Sequence, residues 1–165
     1  MKPAKPETPE DARIAVTSDA LRILSLRAHG VQELREKLLK KHSPKAVEAV
    51  LDSFQSRGLL NDEKFAKFFA ESRALSQPTG KKRLEEDLRR KGLAKDTITK
   101  ALSGLEDYDE RAEARKLVAS RIDRMKGVPG AKKKMRLFGL LKRRGFGNDA
   151  VYATLNEFFK DFEDS

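Results

Sequence analysis

The sequence predicts an all-α protein: three tandem three-helix repeats forming an elongated, curved array. Three observations carry that prediction. Apolar residues recur at helical spacing along nearly the whole chain, and alternating strand-like runs are hard to find. The helical pattern also repeats, with a period of about 50 residues. A three-helix unit that small buries its apolar face partly on its neighbours, which favours an extended stack.

The elements follow in order. Residues 1–16 (MKPAKPETPEDARIAV) hold three prolines and alternating charge, and are expected to form a disordered or weakly ordered tail. Repeats are expected over 17–61, 62–108 and 109–165. The first helix of each carries Ala20, Ile23 and Arg27, then Ala66, Phe69 and Arg73, then Ala114, Leu117 and Arg121. The second helix carries an i, i+4 leucine pair: Leu34/Leu38, Leu84/Leu88 and Leu137/Leu141. It is expected to stop at His42, Gly92 and Gly145, in the left-handed cap conformation that glycine adopts most readily. Ser43-Pro44 supplies an N-cap and a first-turn proline for the next helix. Third helices are expected over 44–56, 95–105 and 148–160. Their apolar face has the spacing 0, 3, 4, 7 each time: Val47/Val50/Leu51/Phe54, Ile98/Ala101/Leu102/Leu105 and Val151/Thr154/Leu155/Phe158. Phe65, Phe68 and Phe69 form an aromatic stripe assigned to core packing.

Composition removes several classes of function. There is no cysteine, hence no disulfide framework and no thiolate chemistry. No apolar run is long enough to span a bilayer and no signal-peptide core follows the N-terminus, so a cytoplasmic protein with no membrane association is expected. His29 and His42 have no nucleophile or ligand partner nearby in sequence, and no phosphate-binding glycine loop or paired catalytic carboxylates occur. No catalysis, no metal and no cofactor are expected.

Charge points to the partner. The chain carries 36 basic and 26 acidic residues, a net +10, which favours acidic or polyanionic partners. Half of that excess lies in residues 109–165. Within it, Lys132 to Arg144 (KKKMRLFGLLKRR) has seven basic residues and no acid. The corresponding second helices differ. Glu85–Arg89, Glu86–Arg90 and Asp87–Lys91 pair acid before base at i, i+4, as do Glu33–Lys37 and Glu36–Lys40. Those helices answer their own charge. The third cannot, so contact with an external anion is preferred over a merely solvated face. Leu140 belongs with the core stripe, Phe138 lies at its edge where a partner could meet it, and Gly139 would let another helix approach closely.

A sequence-specific helix-turn-helix reader is disfavoured, because the third helices would enter the groove. Their outer positions include Glu48, Asp52, Asp96, Ser103, Asp149 and Glu157, with few arginines. The base lies on the preceding helix, which suits phosphate or acidic-protein contact without sequence readout.

Three stretches then resemble one family. Gly58-Leu59-Leu60-Asn61-Asp62-Glu63-Lys64-Phe65-Ala66, running through Phe69 to Ser72-Arg73, resembles the Gly-aromatic/Leu-Leu-Asp-Asp-Glu-Arg-aromatic-Ala pattern of the RecX regulatory proteins. Leu34-Arg35-Glu36-Lys37-Leu38 resembles their first-repeat segment, and Arg83-Leu84 through Lys91-Gly92-Leu93 their second. The resemblance covers residues 18–160; Asn61 and His42-Ser43 depart from it conservatively. It implies a monomer that binds the RecA recombinase and the RecA–DNA nucleoprotein filament in the filament's groove. It implies too that extension, ATP hydrolysis and strand exchange are restrained, modulating recombination and DNA repair. The alternative is a helical nucleic-acid-binding module acting directly on single- or double-stranded DNA through its basic surface. A third class, a helical scaffold for unrelated acidic proteins, ranks below both.

The expected partner surface comprises Lys132, Lys133, Lys134, Arg136, Lys142, Arg143 and Arg144, with Lys81 and Lys82 from the second repeat. Arg73 and Arg121 join it from the recurrent arginine position that also holds Arg27. Two roles fit those arginines equally: lining one groove-facing surface, or bracing a helix end or a neighbouring acid.

Overall fold

The computed structural model describes residues 8–105 and 107–160. These form α1 (Pro9–Leu26), α2 (Val31–Leu39), α3 (Pro44–Ser56), α4 (Asp62–Ser76), α5 (Lys81–Arg90) and α6 (Lys95–Ser103). The chain continues with α7 (Glu110–Ile122), a 3-10 turn at Asp123–Met125, α8 (Gly130–Arg143) and α9 (Asn148–Phe159). No strand occurs among the described residues.

Every extensive helix–helix contact falls within one of three consecutive triads, and the first and third helices of a triad share the widest one. Each triad has its own core. Leu34, Leu38, Val47 and Leu51 are fully or almost fully buried in the first. Leu88, Ala66 and Ala70 hold the second, and Leu137, Leu141, Phe146, Val151 and Leu155 the third. Phe159 is buried in that third core while Phe158 is only partly so.

Four expectations need correcting. Helix α1 begins at Pro9, so residues 9–16 are helical; the rest of the expected tail, 1–7, lies outside the described residues. Pro9 is a first-turn proline, and Thr8 and Asp11 form a reciprocal capping box with both bonds at 3.1 Å. Val16 is wholly buried, which ties this turn to the first core. Gly92 and Gly145 do take left-handed φ values of 78° and 79°, but no described non-glycine residue has positive φ, so His42 does not. Its ring instead bonds Asp19 at 2.9 Å. Ser43 makes no side-chain cap bond. Phe68 is 63% exposed, leaving Phe65 and the partly buried Phe69 to pack.

The triads meet through their second helices. At both joints the N-terminus of one second helix meets the C-terminal end of the next. Gly92, after α5, sits against Gln32 of α2, where an added Cβ would come within 2.6 Å of the Gln32 Cβ. Gly145, after α8, sits the same way against Arg83 of α5. The second contact is continued by backbone bonds from Gly80 N–H to the Arg144 carbonyl (2.8 Å) and from Lys82 N–H to the Gly145 carbonyl (3.3 Å). Thus α8, α5 and α2 form one column, the C-terminal end of one helix against the N-terminus of the other at each joint.

An acid from the following triad caps each internal joint. Asp62 accepts from the Val31 N–H at 2.8 Å, and Glu110 from the Lys81 N–H at 2.8 Å. Each satisfies a helix-start donor that has no partner within its own helix. Asp62 and Glu110 stand directly after Asn61 and Asp109, which cap their own helices by accepting from Lys64 N–H and from Arg111 and Ala112 N–H.

Candidate functional site

The column sets the charged surface, and its three helices carry charge differently. On α5, Asp87 is mostly buried and takes Arg90 at 2.8 Å, Arg83 at 3.3 Å and Arg73 of α4 at 3.6 Å. These are not the i, i+4 partners expected from the sequence. Asp87 faces α4, so it collects the bases on that side, and Lys91 is free to reach across the joint to Glu33 at 3.3 Å.

Glu33 of α2 gathers four basic side chains. Arg27 and Lys91 donate to it, and Lys37 and His29 lie at 3.8 and 3.9 Å. Burial alone would raise its pKa, but the hydrogen bonds and charges of Arg27 and Lys91 prevail and hold it at about 2. His29 is buried, and desolvation lowers its pKa. Its Nδ1 lies 2.9 Å from the Arg27 carbonyl and its Nε2 2.9 Å from Lys37 Nζ. The neutral Nδ1–H tautomer fits both contacts, donating to the carbonyl and accepting from the ammonium.

Helix α8 has no such hub. Leu140 occupies the place that Asp87 holds in α5, and the sequence between Lys132 and Arg144 offers no acid. Lys142 and Arg144 have neutral amide partners, Asn148 and Gln77, both at 2.8 Å. The recurrent arginines part accordingly: Arg27 pairs with Glu33 and Arg73 with Asp87. Arg121 instead opens onto a 530 Å³ cavity with Arg136 and Arg143, lined otherwise by Met125, Met135, Gly139 and Leu140. Three guanidinium groups share that lining with no carboxylate. Such groups recognise phosphate or carboxylate oxygens bidentately, and the methionines supply an adaptable apolar floor.

The remaining expected site residues are distributed along the column. Lys132 and Arg136 are exposed on α8, with Lys133 and Lys134 partly covered. Lys81 and Lys82 are exposed at the start of α5, next to Arg144 across the joint. Lys81 also lines a separate hollow with Glu85 and Arg89. Arg73 lies apart, in a 630 Å³ groove between the first two triads with Glu33, Lys37, Lys40, Arg90 and Lys91. Its buried Nε makes no hydrogen bond but lies 3.6 Å from Asp87 of α5, so Arg73 serves the α4–α5 contact. Phe138 is occupied within the fold, its ring centroid 5.9 Å from that of Tyr152. A Cβ at Gly139 would meet only Arg143, at 3.2 Å, so no helix approaches there.

Sequence reasoning missed the cross-joint roles of Glu33, Lys91, Asp62 and Glu110. The recurring pattern of apolar residue, cap residue and acid at Leu60-Asn61-Asp62 and Tyr108-Asp109-Glu110 was the available signal. Among the described residues no cluster could hold a metal ion, and no helix is long and apolar enough to cross a membrane.

Comparison with known proteins fits this architecture. Residues 18–54 match the model of the RecX first three-helix domain and residues 61–102 that of the second. The regulatory protein RecX of Thermobifida fusca is 31% identical over 156 residues, covering 94% of this chain and 84% of the relative. The chain belongs to the RecX family of regulatory proteins. The RecX of Mycolicibacterium smegmatis is 38% identical over 137 residues, 80% of this chain and 73% of that one. The crystal structure of RecX from Lactobacillus salivarius superposes with a TM-score of 0.80 at 19% identity, covering 90% of this chain and 97% of that one. The helical-repeat fold is therefore shared across RecX sequences that have diverged widely.

Proposed function

We propose that this RecX-family chain binds the RecA recombinase on its DNA filament and restrains filament extension, ATP hydrolysis and strand exchange, modulating recombination and repair. The observation that carries the site is the acid-free basic character of α8 and of the hollow holding Arg121, Arg136 and Arg143. Like charge crowded on one helix that holds no acid of its own is locally unfavourable, and an anionic partner recovers that cost. The DNA of such a filament offers phosphates to the helix. The joint supports the reading further, because the backbone bonds of Gly80 and Lys82 to the end of α8 bring Lys81 and Lys82 beside Arg144.

Charge reversal at Lys132, Lys133, Lys134, Lys142 and Arg143 tests it. The measurement is inhibition of RecA's DNA-dependent ATPase, titrated at two salt concentrations. Wild type should act at amounts far below those that coat the DNA, and the variant should lose both the inhibition and its salt dependence. Inhibition only at coating amounts would favour a module acting on DNA directly. Unchanged inhibition by the variant would remove α8 from the contact surface.

A further inference from the structure

We infer that the cleft between α5 and α6 is a docking site for an acidic protein segment that carries an apolar side chain. The middle triad differs here from its neighbours. In each triad one pair of positions lines the cleft between the second and third helices. The first position follows the leading leucine of the second helix: Arg35 after Leu34, Glu85 after Leu84, Phe138 after Leu137. The other follows the leading apolar residue of the third helix: Glu48 after Val47, Thr99 after Ile98, Tyr152 after Val151.

The outer triads close this cleft, each with its own chemistry. Arg35 grips Glu48 through two guanidinium nitrogens, at 2.8 and 3.0 Å. Phe138 and Tyr152 bring their rings together, with centroids 5.9 Å apart. Glu85 and Thr99 form no bridge of either kind; the Thr99 hydroxyl donates instead to the Lys95 carbonyl of its own helix. A hollow of 850 Å³ opens between them.

The lining selects the occupant. Its floor is aliphatic, made by the buried Leu93 and Ile98 and the partly buried Leu102. Its rim carries Lys81, Arg89 and Lys95, all exposed and none ion-paired among the described residues, against the single carboxylate of Glu85. Cations standing over an apolar floor match a segment in which carboxylates flank a hydrophobic side chain. A nucleic acid strand fits less well, because no aromatic ring lines the hollow for a base to stack on. The Thr99 and Ser103 hydroxyls donate to carbonyls of α6, at 3.0 Å each. They therefore meet a ligand as acceptors, which suits peptide N–H groups and not phosphate oxygens. The site lies on α5 and α6, away from α8, so this docking does not rest on the function proposed above.

Fluorescence polarisation with the full chain tests it. The probes are a labelled peptide of alternating Asp and Leu, an all-Asp peptide of equal charge, and an oligothymidylate. The alternating peptide should bind more tightly than the all-Asp peptide at every salt concentration. Two variants separate floor from rim. Glu85→Phe/Thr99→Tyr installs the pair that closes the third triad and leaves the three cations in place. It should weaken the alternating peptide about 10-fold or more, the worth of one buried apolar side chain. It should leave the oligothymidylate no weaker, since it removes a negative charge. Arg89→Glu/Lys95→Glu alters only exposed side chains and should weaken both peptides, with a flatter salt dependence. Circular dichroism checks that both variants fold. Should the first not fold, the Ile98 and Leu102 methyl signals of wild type replace it; they should shift with the alternating peptide and not with the all-Asp peptide. Equal affinity for the two peptides, unchanged binding by either variant, or unmoved methyl signals would overturn the inference. So would an oligothymidylate that the closing pair weakens, which would make the occupant nucleic acid. None of these readouts uses RecA, so the ATPase test can fail or succeed separately.

Discussion

The two internal joints share one geometry and are fastened by different chemistry. Between the second and third triads, backbone meets backbone: Gly80 lies against Gly145, and its N–H bonds the Arg144 carbonyl at 2.8 Å. Between the first and second triads, the fastening is ionic and centres on Glu33, which joins Arg27 of its own triad to Lys91 of the next. The triad bearing the basic helix is thus held to its neighbour mainly by close backbone packing, beside the one carboxylate cap of Glu110. The first triad is held by groups that titrate and respond to salt. The difference teaches that a repeat frame fixes where units meet without fixing what holds them.

Gly80→Ala should break the second joint, with a larger effect than the matched glycine change at the first. Its φ of −70° suits any residue, so the whole penalty is steric. The new Cβ would overlap the Gly145 carbonyl and the Phe146 nitrogen, main-chain atoms that cannot swing aside. A loss of about 1–3 kcal/mol or more is expected, read from thermal unfolding by circular dichroism. Gly30→Ala is the matched control. Its Cβ would meet the Asp62 carboxylate at 3.2 Å and two side chains beyond, all able to yield, so a few tenths of a kcal/mol suffices. Equal losses in the two variants would erase the distinction between the joints.

Glu33→Gln should come next, at roughly 1–2 kcal/mol after allowance for solvent screening, because it strands Arg27 and Lys91 without their acid. The same joint should weaken in acid. Glu33 titrates at about 2 in the fold against an ordinary 4.5, so its contribution is complete above 4.5 and fades as pH falls towards 2. His29 has a lowered pKa, so its contribution is complete above its ordinary 6.5 and is lost as pH falls through the lowered value. Hydrogen exchange should therefore show α2 opening before α5 as pH drops, and Glu33→Gln should remove the lower part of that response. Simultaneous opening would show the joints to be equally ionic.

Much of this frame was legible in the sequence, for a reason that individual residues display. Leu34/Leu38, Leu84/Leu88 and Leu137/Leu141 are all buried, and all but Leu84 pack in the core of their own triad. Gly92 and Gly145 were readable as caps because each follows the end of a helix in its own triad. What escaped was non-local. Asp87 chose Arg73, Arg83 and Arg90 because of the face it occupies, and no spacing along α5 could reveal the Arg73 contact. Asp62 and Glu110 look like ordinary first-turn acids until the neighbouring triad is in place. The convergence of Arg121, Arg136 and Arg143 on one cavity likewise needed α7 and α8 packed together, although each had been singled out by charge or by recurrence.

The smallest prediction sharpens the same contrast from the alkaline side. The Tyr108 hydroxyl donates to the Thr79 carbonyl, and Thr79 is buried. Burial raises the Tyr108 pKa to about 12, against a smaller opposing effect from that hydrogen bond. A phenol whose pKa is raised by folding contributes stability that is whole below its ordinary value of 10.0 and is lost as pH climbs through 12. Tyr108→Phe should cost about 0.5–1.5 kcal/mol at neutral pH, since it leaves the Thr79 carbonyl without its donor. It should also abolish the alkaline weakening of the second joint while leaving the acid response of the first unchanged. The ionic cluster of Glu33 and the phenol of Tyr108 then respond at opposite ends of the pH range, although both joints use the same helix ends. A variant that altered both responses would mean that the joints are coupled through α5, which is the one helix they share.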